Sequence, residues 1–496
     1  MAQRVLADKT RGCGNSICEV AVCTLLWMRE KCRRVGKSVR RQTPRVLLAA
    51  LVLLAALDVR GAQAGGSVPT ASPAPRHVLV ISLDGMYPNL YLSDSPQLRT
   101  PNLMRLKHEG SYAEGVVGVY PSVTYPSHTT LVTGRLPAEH GISSNLSSRE
   151  PGKNVNDWFW YASAIKVPTL WDEARRHKLT SAGVSWPVSA GAAIDWNVPE
   201  IWEPSKGEKF DFQYLLRFAT PGLIPEAIAH LGPPQPGTDD DRLRTRLAAY
   251  LIKTHQPNLV LLHLVELDSV QHESGPGSPE AAAALEHLDG RVGEILRAVE
   301  EAGLKDSTDV FVVSDHGFLP IDHLIQPNVL LVKAGLLTAN EQGVVTGGRI
   351  ATVADGGSFF IYWPDGQNLR GEVDAALKPL RDQGALWGVL DRPGLANLGA
   401  EPTAQLALEA PEGFAFGRVA EGELVRKLPT PRGTHGYLPF RQGMEASFIA
   451  CGPRIRKGVN LHRIPMTVVA PTILKGLGID DPQFGVQPPL MDLFRE

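Results

Sequence analysis

Three long apolar runs stand out along the chain, and each of them ends at or near an aspartate. They are HVLVISLDG at 77–85, PNLVLLHLVELD at 257–268 and STDVFVVSDHG at 307–317. Runs of Val, Leu and Ile without polar alternation are typical of parallel strands that are buried on both faces of a sheet. We therefore predict three buried strands, which end at Asp84, Asp268 and Asp315.

Helical stretches lie between and after these strands. Residues 239–256 begin with three acidic side chains, which favour a helix N-terminus, and residues 278–303 begin with Ser-Pro-Glu and end at a glycine. Near the C-terminus, ASFIACGP and MTVVAPTILKGLG predict one more strand and one more helix. This alternation predicts an α/β fold with a mostly parallel central sheet and helices on both faces.

Two regions break the alternation. Residues 150–220 are rich in Trp, Tyr and Pro, and we interpret them as an aromatic rim over the site. Residues 335–430 have the pattern of short strands and turns with one helix, GEVDAALKPLRDQG, which predicts an inserted, smaller α+β lobe. The predicted organisation is a catalytic core at 77–334, the lobe at 335–430 and a return to the core at 431–496.

Residues 1–64 have the layout of a leader. The stretch RQTPRVLLAALVLLAALDVRGAQA places basic residues before an apolar run and an Ala-x-Ala site that ends at Ala64. This order predicts a cleaved secretory signal, followed by a Pro/Gly/Ser/Ala linker at 65–76. The apolar run is short for a membrane span. We therefore favour an exported, periplasmic or secreted protein over an uncleaved anchor, and expect no stable membrane insertion.

The charge and cysteine content change once the leader is set aside. Removing the 12 basic and 4 acidic residues of positions 1–64 from the 50 and 52 of the whole chain leaves a net charge of −10. An acidic chain is a poor ligand for nucleic-acid polymers. Four of the five cysteines lie in the leader, so the remaining Cys451 permits neither an internal disulfide nor a thiolate metal cluster.

Acidic and imidazole side chains collect where the predicted strands end. Asp268 is followed by His272, Asp315 is followed directly by His316, and the glycine-flanked loop RGTHGYLPF carries His435. In an open α/β sheet, ligands bind beyond the carboxyl ends of the strands. Carboxylates together with imidazoles suit Zn²⁺ or another transition ion. With the aspartate of the first strand, these donors suffice for two zinc sites that share one substrate.

Each of these residues alone also has a purely structural interpretation. The aspartates can form strand-ending turns or helix caps, and the histidines can be surface or packing residues. It is their joint position at strand ends and flanking loops that favours metal binding. Among the other histidines, we predict that His128 packs locally and that His263 has no partner of this kind.

Thr124 lies between two prolines in YPSVTYPSHTTLVTG, and a helical pattern follows it. Alone, such a threonine is more often a helix cap than a nucleophile. Beside a metal ion, however, an alcohol loses its proton more readily and becomes a nucleophile. The N–H groups of the following helix would face a bound anion, so we also expect a phosphate cradle here.

Five segments, taken together and in their order, resemble the nucleotide pyrophosphatase/phosphodiesterase family of the alkaline phosphatase superfamily. These segments are VISLDG, SVTYPSHTTLVTGRLPAEHGISSN, ELDSVQHESGP, VVSDHGF and GTHGY. The resemblance covers most of residues 77–460 and implies an alkaline-phosphatase-like fold with two Zn²⁺ ions. It implies that the ion that activates the nucleophile is held by four residues, Asp84, Thr124, Asp315 and His316. It implies that the second ion is held by Asp268, His272 and His435.

The resemblance also implies contacts with the substrate. Asn145 matches the family's asparagine that donates a hydrogen bond to a phosphoryl oxygen, and Tyr125 and Trp202 match positions whose aromatic rings stack on a base. Ser127 departs from the asparagine that is common at its position. The disulfide-rich modules of animal members have no counterpart in this sequence, which therefore resembles a compact bacterial member.

The function implied is that of an exported two-zinc phosphodiesterase or nucleotide pyrophosphatase. Thr124 would attack phosphorus in line and form a phospho-threonine, which water then hydrolyses. Two alternatives stay open, namely hydrolysis of phosphonoacetate or of phosphomonoesters at the same site, and metal binding without catalysis. The expected partner is a small phosphodiester or nucleotide-like substrate and not a nucleic-acid polymer.

Overall fold

The structure is a computed structural model, and it describes residues 76–92, 98–147, 149, 158–235 and 237–495. The predicted signal segment at 1–64 and all of the predicted linker except Arg76 lie outside these residues. Within the described ranges, none of the helices combines the length and the apolar character that a membrane crossing requires.

The strands and helices are numbered here in chain order. The strands are β1 His77–Leu83, β2 Ser111–Tyr112, β3 Gly115–Val117, β4 Ser181–Val184, β5 Trp196–Val198, β6 Leu259–Leu264, β7 Thr308–Val313, β8 Leu319–Ile325, β9 Leu337–Ala339, β10 Val345–Gly348, β11 Ala351–Asp355, β12 Ser358–Tyr362, β13 Gly388–Asp391, β14 Leu406–Glu409, β15 Gly413–Phe416, β16 Val425–Thr434, β17 Phe448–Cys451 and β18 Arg463–Pro465. The α-helices are α1 Asn89–Leu92, α2 Pro101–Glu109, α3 Thr124–Thr133, α4 Pro137–His140, α5 Leu170–Arg176, α6 Phe212–Leu215, α7 Leu223–Leu231, α8 Asp240–His255, α9 Glu266–Ser274, α10 Pro279–Glu301, α11 Pro327–Lys333, α12 Arg370–Ala376, α13 Lys378–Asp382, α14 Arg392–Asn397 and α15 Val469–Gly476. Short 3-10 turns lie at Ala162–Ala164, Lys305–Ser307, Met466–Val468 and Met491–Leu493.

Seven strands form the central sheet, in the order β2-β17-β7-β1-β6-β4-β5. From β7 to β5, every pair of neighbours is parallel. The strand β17 is antiparallel to β7, and β2 is antiparallel to β17. The prediction of a mostly parallel central sheet is confirmed, with antiparallel strands at one edge.

The central strand β1 shows why its sequence is apolar throughout. Leu79 and Ile81 belong to a hydrophobic core on one face of the sheet, which helices α8 and α10 cover. Val78 and Val80 belong to a second core on the other face, which helices α5 and α15 cover. Because both faces exclude water, every position of the strand is buried, and alternation of polar and apolar residues is lost.

The segment before Asp268 folds differently from the prediction. The strand β6 ends at Leu264, and helix α9 begins at Glu266, so Asp268 lies on a helix and not at a strand end. The carboxylate of Asp241, on helix α8, accepts hydrogen bonds from the N–H groups of Val265 and Glu266, both at 2.8 Å. This contact caps the helix from outside, and a residue 24 positions away gives no local signal for it.

The predicted rim and lobe both have counterparts in the structure, with changed extents. Strands β4 and β5 lie within the region 150–220 and belong to the central sheet, so this region contributes to the core as well as to the site. Strand β8, which precedes the predicted lobe, pairs with β15 and β16, and a separate hydrophobic core joins residues between Ile325 and Phe416 to Tyr437 and Met444. The predicted lobe helix is two short helices, α12 and α13, because Pro379 lacks the N–H that a continuous helix needs.

Candidate metal centre and active site

Three potential ligands meet where β1 and β7 end. Asp84 follows β1, Asp315 and His316 follow β7, and one ligand atom from each lies within 4.8 Å of the others. His316 Nε2 is 3.4 Å from Asp84 Oδ1 and 3.1 Å from Asp315 Oδ2. The two strands are parallel neighbours, so their carboxyl ends share one edge of the sheet. We call these three residues the first cluster.

A second cluster consists of Asp268, His272 and His435, again with one ligand atom from each within 4.8 Å of the others. Asp268 and His272 are one turn apart on helix α9, and His435 directly follows strand β16 of the lobe. His272 Nε2 is 3.5 Å from Asp268 Oδ2 and 3.1 Å from His435 Nε2. The rings of His435 and His316 stack with centroids 3.7 Å apart, so the two clusters are adjacent.

The tautomers of the three histidines show that both clusters fit cations. The Nδ1 atoms of His316, His272 and His435 lie 3.1–3.2 Å from the backbone oxygens of Gly317, Gly433 and Ser122. A carbonyl oxygen only accepts, so each Nδ1 carries the proton and each neutral ring turns a lone pair on Nε2 toward its cluster. Lone pairs of imidazole and carboxylate then face one another, which is favourable only around a positive ion.

The carboxylates of the two clusters also fit cations. Asp84 Oδ1, Asp268 Oδ1 and Asp315 Oδ2 are buried and have no hydrogen-bond partner among the described residues, and the same holds for His316 Nε2. Burial raises the pKa of Asp84, and the negative charges of Asp315 and Asp268 raise it further. A buried acceptor without a partner lowers the stability of the folded protein. A divalent ion that takes O and N ligands would give these atoms a partner, so it fits this donor set.

A glycine beside each of two ligand histidines permits a close backbone approach. A Cβ atom on Gly317, which follows His316, would lie 2.0 Å from the carbonyl oxygen of Gly443. A Cβ atom on Gly436, which follows His435, would lie 1.8 Å from the carbonyl oxygen of Asp355. These contacts explain the sequences DHG and THG, since larger residues would displace the histidines.

The prediction that His263 has no partner is wrong. His263 Nε2 is 3.0 Å from Asp84 Oδ2, and its Nδ1 is 2.6 Å from Glu200 Oε2. Burial lowers the pKa of this imidazole, but Glu200 and Asp84 outweigh that effect and raise it well above its usual value. A positive His263 therefore lies behind Asp84 and fixes its carboxylate. The signal in the sequence was a histidine inside the otherwise apolar strand LVLLHL.

Helix α3 begins at Thr124, with Val123 rather than Thr124 as the N-cap residue. Thr124 lines a cavity of about 370 Å³ beside the clusters, and its hydroxyl has no hydrogen-bond partner among the residues described. His128 anchors this turn, because its Nδ1 donates to the carbonyl oxygen of Thr124 and its Nε2 accepts from Ser82 of strand β1, both at 2.9 Å. The prediction of local packing for His128 therefore understates its role.

The expected phosphate cradle at the start of α3 is mostly occupied. The N–H of Tyr125 donates to Asn145 Oδ1 at 2.9 Å, Pro126 has no N–H, and the N–H of Ser127 donates to the carbonyl oxygen of Val123. Among the N–H groups of the first four helical positions, that of Thr124 has no hydrogen-bond partner among the described residues. The Asn145 amide is oriented by Tyr125, and its Nδ2 has no hydrogen-bond partner among the described residues.

The aromatic side chains are arranged differently from the expectation of a base held between Tyr125 and Trp202. Both line a cavity of about 370 Å³ that also borders the two clusters. The ring of Trp158 packs on Tyr125 with centroids 5.2 Å apart and on Trp202 with centroids 4.8 Å apart. Trp158 therefore contacts both members of the predicted pair, and Tyr125 is fully buried.

Comparison with known proteins gives the following relatives. Residues 78–438 match the profile of the family described as type I phosphodiesterase / nucleotide pyrophosphatase. An uncharacterized pyrophosphatase/phosphodiesterase of Schizosaccharomyces pombe is 29% identical over 252 residues, which cover 49% of this chain and 45% of that protein. Human ectonucleotide pyrophosphatase/phosphodiesterase family member 1 is 28% identical over 250 residues, covering 48% and 23%. The matched region spans less than half the length of either relative.

Solved structures share the fold. Human ectonucleotide pyrophosphatase/phosphodiesterase 5 has a TM-score of 0.61 at 20% identity, with 85% of this chain and 100% of that chain covered. An inactive variant of the mouse protein in complex with AMP has a TM-score of 0.61 at 19% identity, with the same coverage. The predicted alkaline-phosphatase-like fold is confirmed.

Proposed function

This chain belongs to the type I phosphodiesterase / nucleotide pyrophosphatase family, and on that premise we propose that it is an exported two-zinc hydrolase. Its substrates would carry phosphodiester or phosphoanhydride bonds to nucleotide-like groups. The observation that carries the proposal is the pair of adjacent clusters whose lone pairs face one another, next to an unpartnered threonine hydroxyl.

We assign the ligands by cluster. One ion would be held by the first cluster, Asp84, Asp315 and His316, together with Thr124. The other would be held by the second cluster, Asp268, His272 and His435. A mixed set of imidazole nitrogens and carboxylate oxygens suits Zn²⁺. When bound, such ions lower the pKa of a coordinated hydroxyl or water and stabilise negative charge on phosphoryl oxygens.

The protein's own groups would divide the reaction into two steps. In the first, Thr124 Oγ1 loses its proton to solvent and bonds to phosphorus while the bond from phosphorus to the leaving group breaks, and the leaving group departs with the electron pair. In the second, the oxygen of a water molecule bonds to phosphorus, the bond between phosphorus and Thr124 Oγ1 breaks, and a proton from the water restores the hydroxyl. Asn145 Nδ2 would donate to a non-bridging oxygen throughout. In support, the inactive variant of the mouse relative carries a threonine-to-alanine change.

The cavity that borders both clusters favours substrates that carry a nucleoside over a bare phosphate group. Its volume of about 370 Å³ and its aromatic lining by Trp158, Trp202 and Phe210 offer space and apolar surface beside the clusters. An inorganic phosphate group alone would leave this surface exposed, whereas a nucleoside would cover it. AMP, with which the mouse relative was solved, has such a group.

Metal analysis and a substrate panel test the proposal on the purified protein. We expect about two equivalents of zinc, as two tetrahedral sites require, and faster hydrolysis of thymidine 5′-monophosphate p-nitrophenyl ester than of p-nitrophenyl phosphate or phosphonoacetate. Preference for either of the last two would favour a phosphomonoesterase or a phosphonoacetate hydrolase. Two tightly bound ions with no turnover of any ester would favour a metal-binding protein.

Export is proposed from the leader alone. Fractionation of the producing cells, with mass spectrometry of the N-terminus, would check it. We expect the protein outside the cytoplasm and a new terminus after Ala64. A cytoplasmic protein that retains its leader would contradict the assignment.

A further inference from the structure

The chain on either side of Asn145 is bonded to the lobe. This segment follows helix α4 and is described at residues 143–147 and 149. Before Asn145, the hydroxyl of Ser143 donates to Oε2 of Glu401, which lies between helix α14 and strand β14 of the lobe. After Asn145, Nη2 of Arg149 donates to the same oxygen at 3.0 Å. One carboxylate of the lobe therefore holds two points of the segment that carries Asn145.

The carboxylate of Glu401 is buried and has partners for both oxygens. The residue is 4% exposed. Its Oε1 accepts from the N–H of Thr403 at 2.9 Å and from the hydroxyl of the same residue at 2.7 Å. Burial raises the pKa of Glu401, but the charge of Arg149 and the hydroxyl of Ser143 outweigh that effect and lower it. Because a buried charge without its partner is costly, this anion keeps Ser143 and Arg149 in place.

Arg149 connects the residue after Asn145 to the lobe. Its Nη1 donates to the carbonyl oxygen of Leu146 at 2.6 Å, while its Nη2 binds Glu401. Its guanidinium carbon lies 5.4 Å from the centroid of the Tyr362 ring, on strand β12 of the lobe. A planar guanidinium can make these contacts together because its N–H donors form a rigid fork. Lysine has the same charge but not this geometry.

The residue directly before Asn145 also binds the lobe. The hydroxyl of Ser144 donates to Oδ1 of Asp355, at the end of strand β11, at 3.1 Å and accepts from the N–H of Leu146 at 3.2 Å. The lobe thus fixes the backbone around Asn145, whereas helix α3 orients its side chain through the N–H of Tyr125. The direction of the Nδ2 donors depends on both.

We propose that Glu401 and Arg149 are positioning residues, which hold Asn145 in the place where its Nδ2 meets the phosphoryl group. Neither residue belongs to a cluster or lines the cavity that borders both clusters, so each acts on the reaction through Asn145 alone. A hydrogen bond weakens steeply as its donor turns away from the acceptor, and a small displacement of a catalytic group slows turnover strongly. This inference rests on the proposed function and extends it to the lobe.

A double-mutant cycle tests whether Glu401 acts through Asn145. The full-length, zinc-loaded protein is assayed with thymidine 5′-monophosphate p-nitrophenyl ester. We expect Asn145→Ala to lower kcat roughly hundredfold, as the loss of a donor to developing negative charge does, and Glu401→Gln to lower it roughly tenfold with little change in KM. The combined variant should match Asn145→Ala within about twofold, because the positioning residue has nothing left to position.

Further variants serve as controls. Arg149→Lys should lose less activity than Arg149→Gln, since it keeps the charge beside Glu401. Glu372→Gln alters an exposed lobe glutamate that is also paired with an arginine, and it should leave kcat unchanged. Thermal melting checks that each variant is folded. If Glu401→Gln does not fold, Ser143→Ala takes its place in the cycle, because it removes one hydroxyl and keeps the ion pair.

The results separate this inference from the proposed function. Losses that multiply in the combined variant would show that Glu401 does not act through Asn145, and would overturn the inference. Full activity of Asn145→Ala, or of every folded variant at Glu401, Arg149 and Ser143, would do the same while the proposed function stands. Failure of the unmodified, zinc-loaded protein to cleave any ester would overturn both.

Discussion

The two clusters use the same ligand types but are built in different ways. The side chains of the first cluster are between 0% and 3% exposed and follow two neighbouring strands of the central sheet. In the second cluster, the His272 side chain is 40% exposed, and its partners come from a helix and from the end of a lobe strand. Strand ends thus position one candidate ion site, whereas the other candidate site depends on how the chain returns from strand β16 to the core.

The difference extends to the residues behind the ligands. Asp84 is supported by His263, and Asp315 Oδ1 accepts from the N–H of Gly85 at 3.1 Å. Described support for the second cluster consists of backbone carbonyl oxygens that accept from His272 and His435. Buried, charged partners hold an ion more firmly than a half-exposed site does. The comparison therefore predicts a slowly exchanging ion in the first cluster and a faster one in the second.

The largest expected effect separates chemistry from metal binding. Thr124→Ala removes the attacking oxygen but leaves all six cluster residues in place. We expect turnover to fall by roughly three orders of magnitude or more, as for other covalent nucleophiles, while the zinc content stays largely unchanged. Stopped assays with the p-nitrophenyl ester and elemental analysis of the same sample check this. A variant with full activity would refute the nucleophile.

The next effect concerns the release of metal to a chelator. Because the second cluster is more exposed, we expect two kinetic phases, with its ion leaving roughly tenfold faster or more than the buried one. His272→Ala should remove the fast phase and keep the slow one. A dye that reports free zinc follows both phases, and a single phase in the unmodified protein would contradict the difference between the clusters.

A third prediction concerns the support of Asp84. His263→Gln removes the positive charge behind this ligand, so the affinity for one of the two ions should fall roughly 10–100-fold. Activity should decline at low zinc and return at high zinc. Competition with a calibrated chelator measures the affinity, and His287→Gln, an exposed histidine, serves as the control. Unchanged affinity would mean that His263 only fills space.

The smallest effect is on stability at low pH. Burial and the nearby His263 lower the pKa of His128 to about 4, so the folded protein keeps this ring neutral while the unfolded chain protonates it near its ordinary value. The contribution of the neutral His128 ring to the free energy of unfolding is fully present above about pH 6.5. It is lost as the pH falls through 4, by up to about 3 kcal/mol.

Urea unfolding of the chelator-treated protein between pH 4 and 7 measures this contribution. His128→Gln should flatten the fall in stability on acidification, whereas the exposed His230→Gln should not. Identical pH dependence in both variants would show that the acid sensitivity lies elsewhere.

The pattern of the sequence was sufficient for the fold class and for the choice of candidate ligands. Strands β1 and β7 are buried on both faces, which made them apolar runs, and Asp84 lies one residue after the first and Asp315 two residues after the second. Six of the seven ligands assigned by motif lie in the two clusters that the structure brings together. Such features are local, because burial and turn chemistry leave their mark on adjacent residues.

Other features had no local signal. The start of α9 depends on a carboxylate from α8, the positive charge of His263 depends on Glu200, and the aromatic pair is separated by Trp158.

The sequence by itself thus determined the α/β class, the motif residues and the choice of Thr124 as the candidate nucleophile. Only the tertiary structure decided the exposure of each cluster, the charge of the histidine behind Asp84 and the cavity that borders both clusters. The physical reason is that exposure, pKa and cavity shape are set by contacts between residues far apart in the chain, whereas strand and helix patterns are set by neighbours.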